Sequence, residues 1–136
     1  MMLRAKPILI LSSRPWNAGL AERLGEGLKR PVKSICQREE LTIEAVKAIN
    51  PEWIFVPHWS YLISDEIWSE WPTVIFHMTD LPYGRGGSPL QNLIKSNHDS
   101  TMLTAIGCCD ELDGGPIYLK ESLHLNGTAE EIFLRA

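Results

Sequence analysis

The stretch from Ile75 to Gln91, IFHMTDLPYGRGGSPLQ, constrains this chain more than any other. Trp71 and Pro72 lead into Thr73, Val74, Ile75 and Phe76, a β-branched and aromatic run that reads as a buried strand ending at His77. The eight residues from Pro82 to Pro89 then hold two prolines and three glycines. That density predicts a constrained loop, with backbone in conformations that β-carbons would forbid. Leu90 to Lys95 reads as a helix, with Pro89 at an early position where a missing N–H costs little. A strand, a polar residue at its carboxyl end, a rigid loop and a helix form the usual setting of an α/β active site.

The rest of the chain repeats the strand–helix alternation. Pro7 to Leu11 is a continuous apolar run, as a parallel strand covered on both faces requires. The hydroxyl-rich turn Ser12 to Asn17 leads into a helix over Ala18–Leu28, with Leu20, Leu24 and Leu28 as one buried stripe. Such a turn can offer N–H groups and a positive dipole end to an anion, or simply cap its own helix. Val32 to Cys36 reads as a second strand, and Leu41 to Ile49 as a helix capped by Thr42 and stopped by Asn50-Pro51. Trp53 to Val56 is a third strand, closed by Pro57. Ser64 then caps a helix with Asp65 and Glu66 in its first turn. Further on come a polar turn over Ser96–Ser100, a strand over Thr101–Cys109, and another from Ile117 to Leu119. Lys120, Glu121 and His124 are expected to face solvent. Thr128 and Glu131 open a last helix by capping-box logic. This alternation predicts an α/β chain: a Rossmann-like open, mostly parallel sheet with helices on both faces. Such a fold names no function by itself.

At 136 residues the chain is expected to be one domain. A net charge of −4 argues against a large nucleic-acid surface, so nucleic acid is read as an unlikely partner. Cys36, Cys108 and Cys109 have no metal spacing and an odd count, which predicts buried, reduced thiols and no metal. No apolar stretch approaches a membrane span and no signal-peptide core opens the chain, so the expectation is a cytoplasmic protein.

Two segments carry a resemblance. HMTDLPYGRGGSPLQNLI, from His77, resembles the signature loop of the folate-dependent formyltransferases, whose pattern is roughly Asn-x-His-x-Ser-Leu-Leu-Pro followed by a Gly- and Pro-containing turn and a helix. The family's second signature, Leu/Val-Asp-x-Gly, is matched in Asp110-Glu111-Leu112-Asp113-Gly114-Gly115-Pro116. The likeness to glycinamide ribonucleotide and methionyl-tRNA formyltransferases extends over Lys6 to about Phe133. It implies an enzyme with 10-formyltetrahydrofolate as formyl donor and His77 and Asp113 as catalytic residues. Folate binding would fall to Tyr61, Leu62 and Ile63, where the family runs along the pteridine, and to Cys109, Asp110, Glu111 and Leu112. For Tyr61 to Ile63 the residues alone leave open a second role, covering the sheet edge. The first strand–helix turn would face the acceptor, often at a phosphate. A complete family member continues past Ala136, so residues 1–136 are expected to be a catalytic domain lacking its C-terminal part.

The chemistry suits these residues. Formyl transfer to an amine passes through a tetrahedral carbon bearing an oxyanion, and the amine loses a proton. A site needs a donor aimed at that oxygen and a base or relay near neutral pKa. Imidazole serves either role near pH 7, and Asp113 can set its tautomer, stabilise imidazolium or accept the proton through a water. An oxyanion donor is typically worth ~2.7–4 kcal/mol of barrier. One position departs from the family: Ile75 stands where its catalytic asparagine belongs. Thr79, Asn92 or a backbone N–H takes that role, or the substrate sits differently, or activity is lost.

The leading expectation is formyl transfer to a small-molecule amine, with amino-sugar nucleotides ahead of glycinamide ribonucleotide. Hydrolysis of 10-formyltetrahydrofolate is an alternative, and so is a non-catalytic folate-binding homologue that has lost the asparagine.

Overall fold

The computed structural model describes residues 5–17, 19–78, 81, 100–110, 114–128 and 132. Six strands follow one another as β1 (Ile8–Ser12), β2 (Val32–Ile35), β3 (Trp53–His58), β4 (Thr73–His77), β5 (Ser100–Gly107) and β6 (Ile117–His124). Three α-helices interrupt them, α1 (Leu20–Leu28), α2 (Ile43–Ile49) and α3 (Asp65–Trp68). Strand order is β2-β1-β3-β4-β5-β6, an open, mostly parallel sheet of the Rossmann-like kind expected. The chain divides into two compact units, Met1–Val74 and Ile75–Ala136.

In the first unit β1 is the central strand, parallel to β2 on one side and β3 on the other. All five of its residues are buried, as the unbroken run Ile8-Leu9-Ile10-Leu11 requires of a strand covered on both faces. α2 is built as its sequence dictates. The Thr42 hydroxyl accepts from the Ala45 N–H at 3.1 Å, Val46 is fully buried, and Asn50 ends the helix at φ 48°. Ser64 caps α3 likewise, accepting from the Glu66 N–H at 3.2 Å. Glu66 and Asp65 lie in that helix's first turn.

Three expectations need correction, the third of them reaching into the second unit. Pro57 does not close β3, which runs on to His58. Ile10 pairs with Phe55 but Ser12 with His58, so β3 carries one extra residue there. This bulge accommodates a proline that lacks a ladder N–H. The leucine stripe of α1 is buried only in part: Leu20 and Leu24 are half-buried, whereas Leu28 is 53% exposed. A four-residue spacing drifts by about 40° per step around a 3.6-residue helix, so Leu28 lies about 80° round from Leu20. α1 meets β2 instead through Gly25, where a β-carbon would come within 3.7 Å of the Val32 side chain. The expected burial of the thiols fails in both units: Cys36 is exposed, and Cys108 and Cys109 are intermediate.

In the second unit β5 and β6 form an antiparallel hairpin, from Ser100 opposite His124 to Ile106 opposite Ile117. β6 extends well past the Ile117–Leu119 run expected. A register shift between Ala105 and Ile106 places Tyr118 as an extra residue on β6. Thr104, Ile106 and Leu123 supply buried side chains. Ile132 is fully buried, and its N–H donates to the Thr128 carbonyl at 3.0 Å; the rest of the final helix expected there lies outside the described residues. The helix expected over 90–95 and the Gly- and Pro-rich loop lie outside the described residues.

No helix among the described residues is long and apolar enough to cross a membrane. Nor do three or more His, Cys, Asp or Glu residues among them gather as a metal site.

Candidate active site

The carboxyl ends of β1 and β3 come together at the β3 bulge. Past the end of β1, the Ser13 N–H donates to the His58 carbonyl at 2.7 Å. The Ser13 and Ser60 hydroxyls lie 3.4 Å apart. Trp16 stands edge-on to the His58 ring, centroids 5.2 Å apart, and the Arg14 guanidinium lies 5.8 Å from the Trp16 ring. The buried Ser12 hydroxyl donates to Asn17 Oδ1 at 2.7 Å, with the Arg14 carbonyl 3.2 Å away. The hydroxyl chemistry of this turn is thus spent partly on the turn itself. α1 begins at Gly19, φ 77°, with no side-chain cap.

The segment after β3 is open to solvent at Tyr61 and Leu62. Tyr61 is 44% exposed, Leu62 is 89% exposed and Ile63 is intermediate. A leucine that open shields no sheet edge, so the covering role fails for it. Tyr61 is held from two sides: the Arg38 guanidinium lies 5.2 Å over its ring, and Trp59 meets it edge-on at 5.7 Å. The indole N–H of Trp59 is buried and has no hydrogen-bond acceptor among the described residues. Leaving such a donor unmet costs about 1–3 kcal/mol.

In the second unit His77 is the last residue of β4 and only 6% exposed. The chain after it is pinned twice. The Thr101 hydroxyl on β5 donates to the Met78 carbonyl at 3.1 Å, and Lys120 Nζ on β6 donates to the Leu81 carbonyl at 3.0 Å. Met78 and Leu81 are themselves buried. Lys120 therefore does not face solvent as expected, while Glu121 and His124 are exposed. The second signature leaves the same hairpin: the Gly107 N–H donates to the Pro116 carbonyl at 2.8 Å, closing the base of the segment between them. Of the residues expected on that segment, Cys109 is intermediate and Asp110 exposed. Glu111, Leu112 and the catalytic candidate Asp113 lie outside the described residues, as do Thr79 and Asn92.

Three residues with functional geometry were not singled out by the sequence reading: Trp59, Thr101 and Lys120. The last two act on backbone carbonyls far away in sequence, which no local pattern marks.

Fold and site define an α/β protein whose polar groups gather at strand ends and in the loops that follow them. Residues 13–132 match the family model described as "Formyl transferase", and the chain belongs to that family. A methionyl-tRNA formyltransferase from Clostridium thermocellum is 45% identical, with a TM-score of 0.91 over 98% of this chain and 59% of that one. The Thermotoga maritima methionyl-tRNA formyltransferase is 24% identical over 110 residues, 71% of this chain. The chain spans 35% of that relative's length. HypX from Aquifex aeolicus, in complex with tetrahydrofolic acid, shares the fold at a TM-score of 0.77 and 24% identity, over 94% of this chain and 23% of that one. Two of these three are named for a tRNA substrate, so the expectation that nucleic acid is an unlikely partner finds no support.

Proposed function

We propose that this protein transfers a formyl group from 10-formyltetrahydrofolate to an amine, with His77 and Asp113 as its catalytic residues. The observation that carries the proposal is a buried histidine ending β4, followed by backbone fixed by Thr101. A donor so held pays little reorganisation when charge develops on the formyl oxygen. The folate would supply the activated formyl group. Tyr61, Leu62 and Ile63 would offer it an apolar face. Cys109, Asp110, Glu111 and Leu112 would line it from the second signature. The same reading takes residues 1–136 as a formyltransferase-like catalytic domain of a cytoplasmic enzyme.

For the acceptor we infer a small-molecule amine, with an amino-sugar nucleotide as first choice. The likeness to methionyl-tRNA formyltransferases favours charged initiator tRNA as a second reading. Incubating the protein with 10-formyltetrahydrofolate and each of an amino-sugar nucleotide, glycinamide ribonucleotide, methionyl-tRNA and no acceptor separates them. Amine-dependent loss of the formyl donor is the expected result. Formate release without an amine would identify a hydrolase, and folate binding without turnover a non-catalytic homologue.

A further inference from the structure

We propose that Lys120 is a positioning residue for the chain that leaves β4 at the catalytic histidine, an inference that rests on His77 being catalytic. Lys120 sits on β6 between exposed neighbours, Leu119 at 56% and Glu121, yet is itself half-buried. Its ammonium has turned in to donate to the Leu81 carbonyl at 3.0 Å. A free lysine on a strand surface keeps its charge in water and its rotamer freedom. Ordering it against the Leu81 carbonyl is favoured because a charged donor makes a strong hydrogen bond.

The carbonyl it holds belongs to the fourth residue after His77. The first residue after His77, Met78, has its carbonyl held by the Thr101 hydroxyl at 3.1 Å. Where β4 ends, its backbone acceptors lose their ladder partners, and buried acceptors must be met from elsewhere. Two side chains from the neighbouring hairpin meet them, one on each side of Thr79-Asp80. The exit of the chain from His77 is thereby fixed at two points. The backbone at the end of a strand places the β-carbon of its last residue, and a 1 Å misplacement of a catalytic group can cost about 100-fold in rate. Lys120 and Thr101 thus fix the backbone from which the imidazole projects, without touching substrate.

The test replaces Lys120 with methionine, which keeps the stem and removes the donors, and with arginine, which keeps a cationic donor. Lys120→Met is expected to lower kcat about 10- to 100-fold with little change in the folate KM. It should also move the His77 ring resonances in the NMR spectrum. Lys120→Arg should recover most of the rate and return the resonances towards wild type. Thr101→Val, which removes the companion bond at nearly constant shape, should act in the same direction and serves if Lys120→Met folds poorly. An unchanged kcat with unmoved His77 resonances in both Lys120→Met and Thr101→Val would overturn the proposal. So would Lys120→Arg as impaired as Lys120→Met. A wild-type protein without formyl transfer would instead overturn the proposed function, and the His77 resonances alone would then decide the positioning role.

Discussion

A β-carbon on Gly115 would lie 1.7 Å from the carbonyl oxygen of Gly107 and 2.8 Å from its carbonyl carbon. No side chain fits there unless the hairpin opens, because the obstacle is backbone. Gly115 follows Asp113 and Gly114 in the second signature, so this close approach holds the described end of that signature against β5. Gly115→Ala is expected to destabilise the fold by at least about 1–3 kcal/mol, the usual range for overpacking, and to remove activity. Gly27→Ala is the control. It lies within α1 with nothing within 4 Å of its would-be β-carbon, and should gain about 0.5–1 kcal/mol of stability. Thermal unfolding of both variants checks the pair, and equal melting temperatures would show that the β5–β6 hairpin tolerates separation.

The helix caps give a second prediction, on stability alone. Thr42→Ala removes the acceptor for the Ala45 N–H and should cost about 1 kcal/mol. Ser64→Ala should cost somewhat less, since α3 is a single turn. Neither residue belongs to the proposed site, so kcat should stay at the wild-type value in both variants. Denaturant titration with a steady-state assay on the same samples measures both effects.

Those caps also show what the sequence makes legible. Thr42, Ser64 and Asn50 act on backbone within four residues of themselves, so their roles could be read locally. The burial of β1 follows from an unbroken apolar run, and His77 at a strand end from the change in periodicity after it. Where β3 ends could not be read this way. Pro57 breaks a strand by local rules, and only the register against β1 shows the extra residue that lets the strand continue. Lys120 was misplaced for the same reason: lysine on an edge strand reads as solvated until Leu81 brings its carbonyl within 3.0 Å. Long-range partners decide such cases, and one chain's local pattern does not name them.

The third prediction concerns the proposed catalytic pair. His77→Ala and Asp113→Ala should each abolish turnover while leaving a folded domain, with losses on the order of 10²-fold or more for a donor or base of this kind. Groups that act together give non-additive losses, so the double variant should be little worse than the poorer single one. His77 is 6% exposed, and the alanine variant therefore also calls for a melting curve to separate lost chemistry from lost packing. A rate unchanged in either single variant would remove that residue from the mechanism.

The last prediction turns on the isoleucine that replaces the family's asparagine. Ile75 and His77 stand two residues apart on β4, so strand alternation directs both side chains to one face. Ile75 is only half-buried, whereas Thr73 and His77 on the same face are buried, so position 75 has room for a polar group that the core proper would refuse. Ile75→Asn should place an amide on the face of the imidazole and add an oxyanion donor that the present site must find elsewhere. The variant should raise amine formylation several-fold, at a stability cost of about 1–3 kcal/mol if the amide is not hydrogen-bonded before substrate arrives. Bound substrate would recover part of that cost, so the melting temperature of the variant should rise more with folate than that of the wild type. Rates with the formyl donor and melting curves with and without folate measure both effects. A lower melting temperature with no gain in rate would show that position 75 serves the sheet. A fall from a good wild-type rate would mean that isoleucine shapes a different acceptor geometry, in which another donor already holds the formyl oxygen.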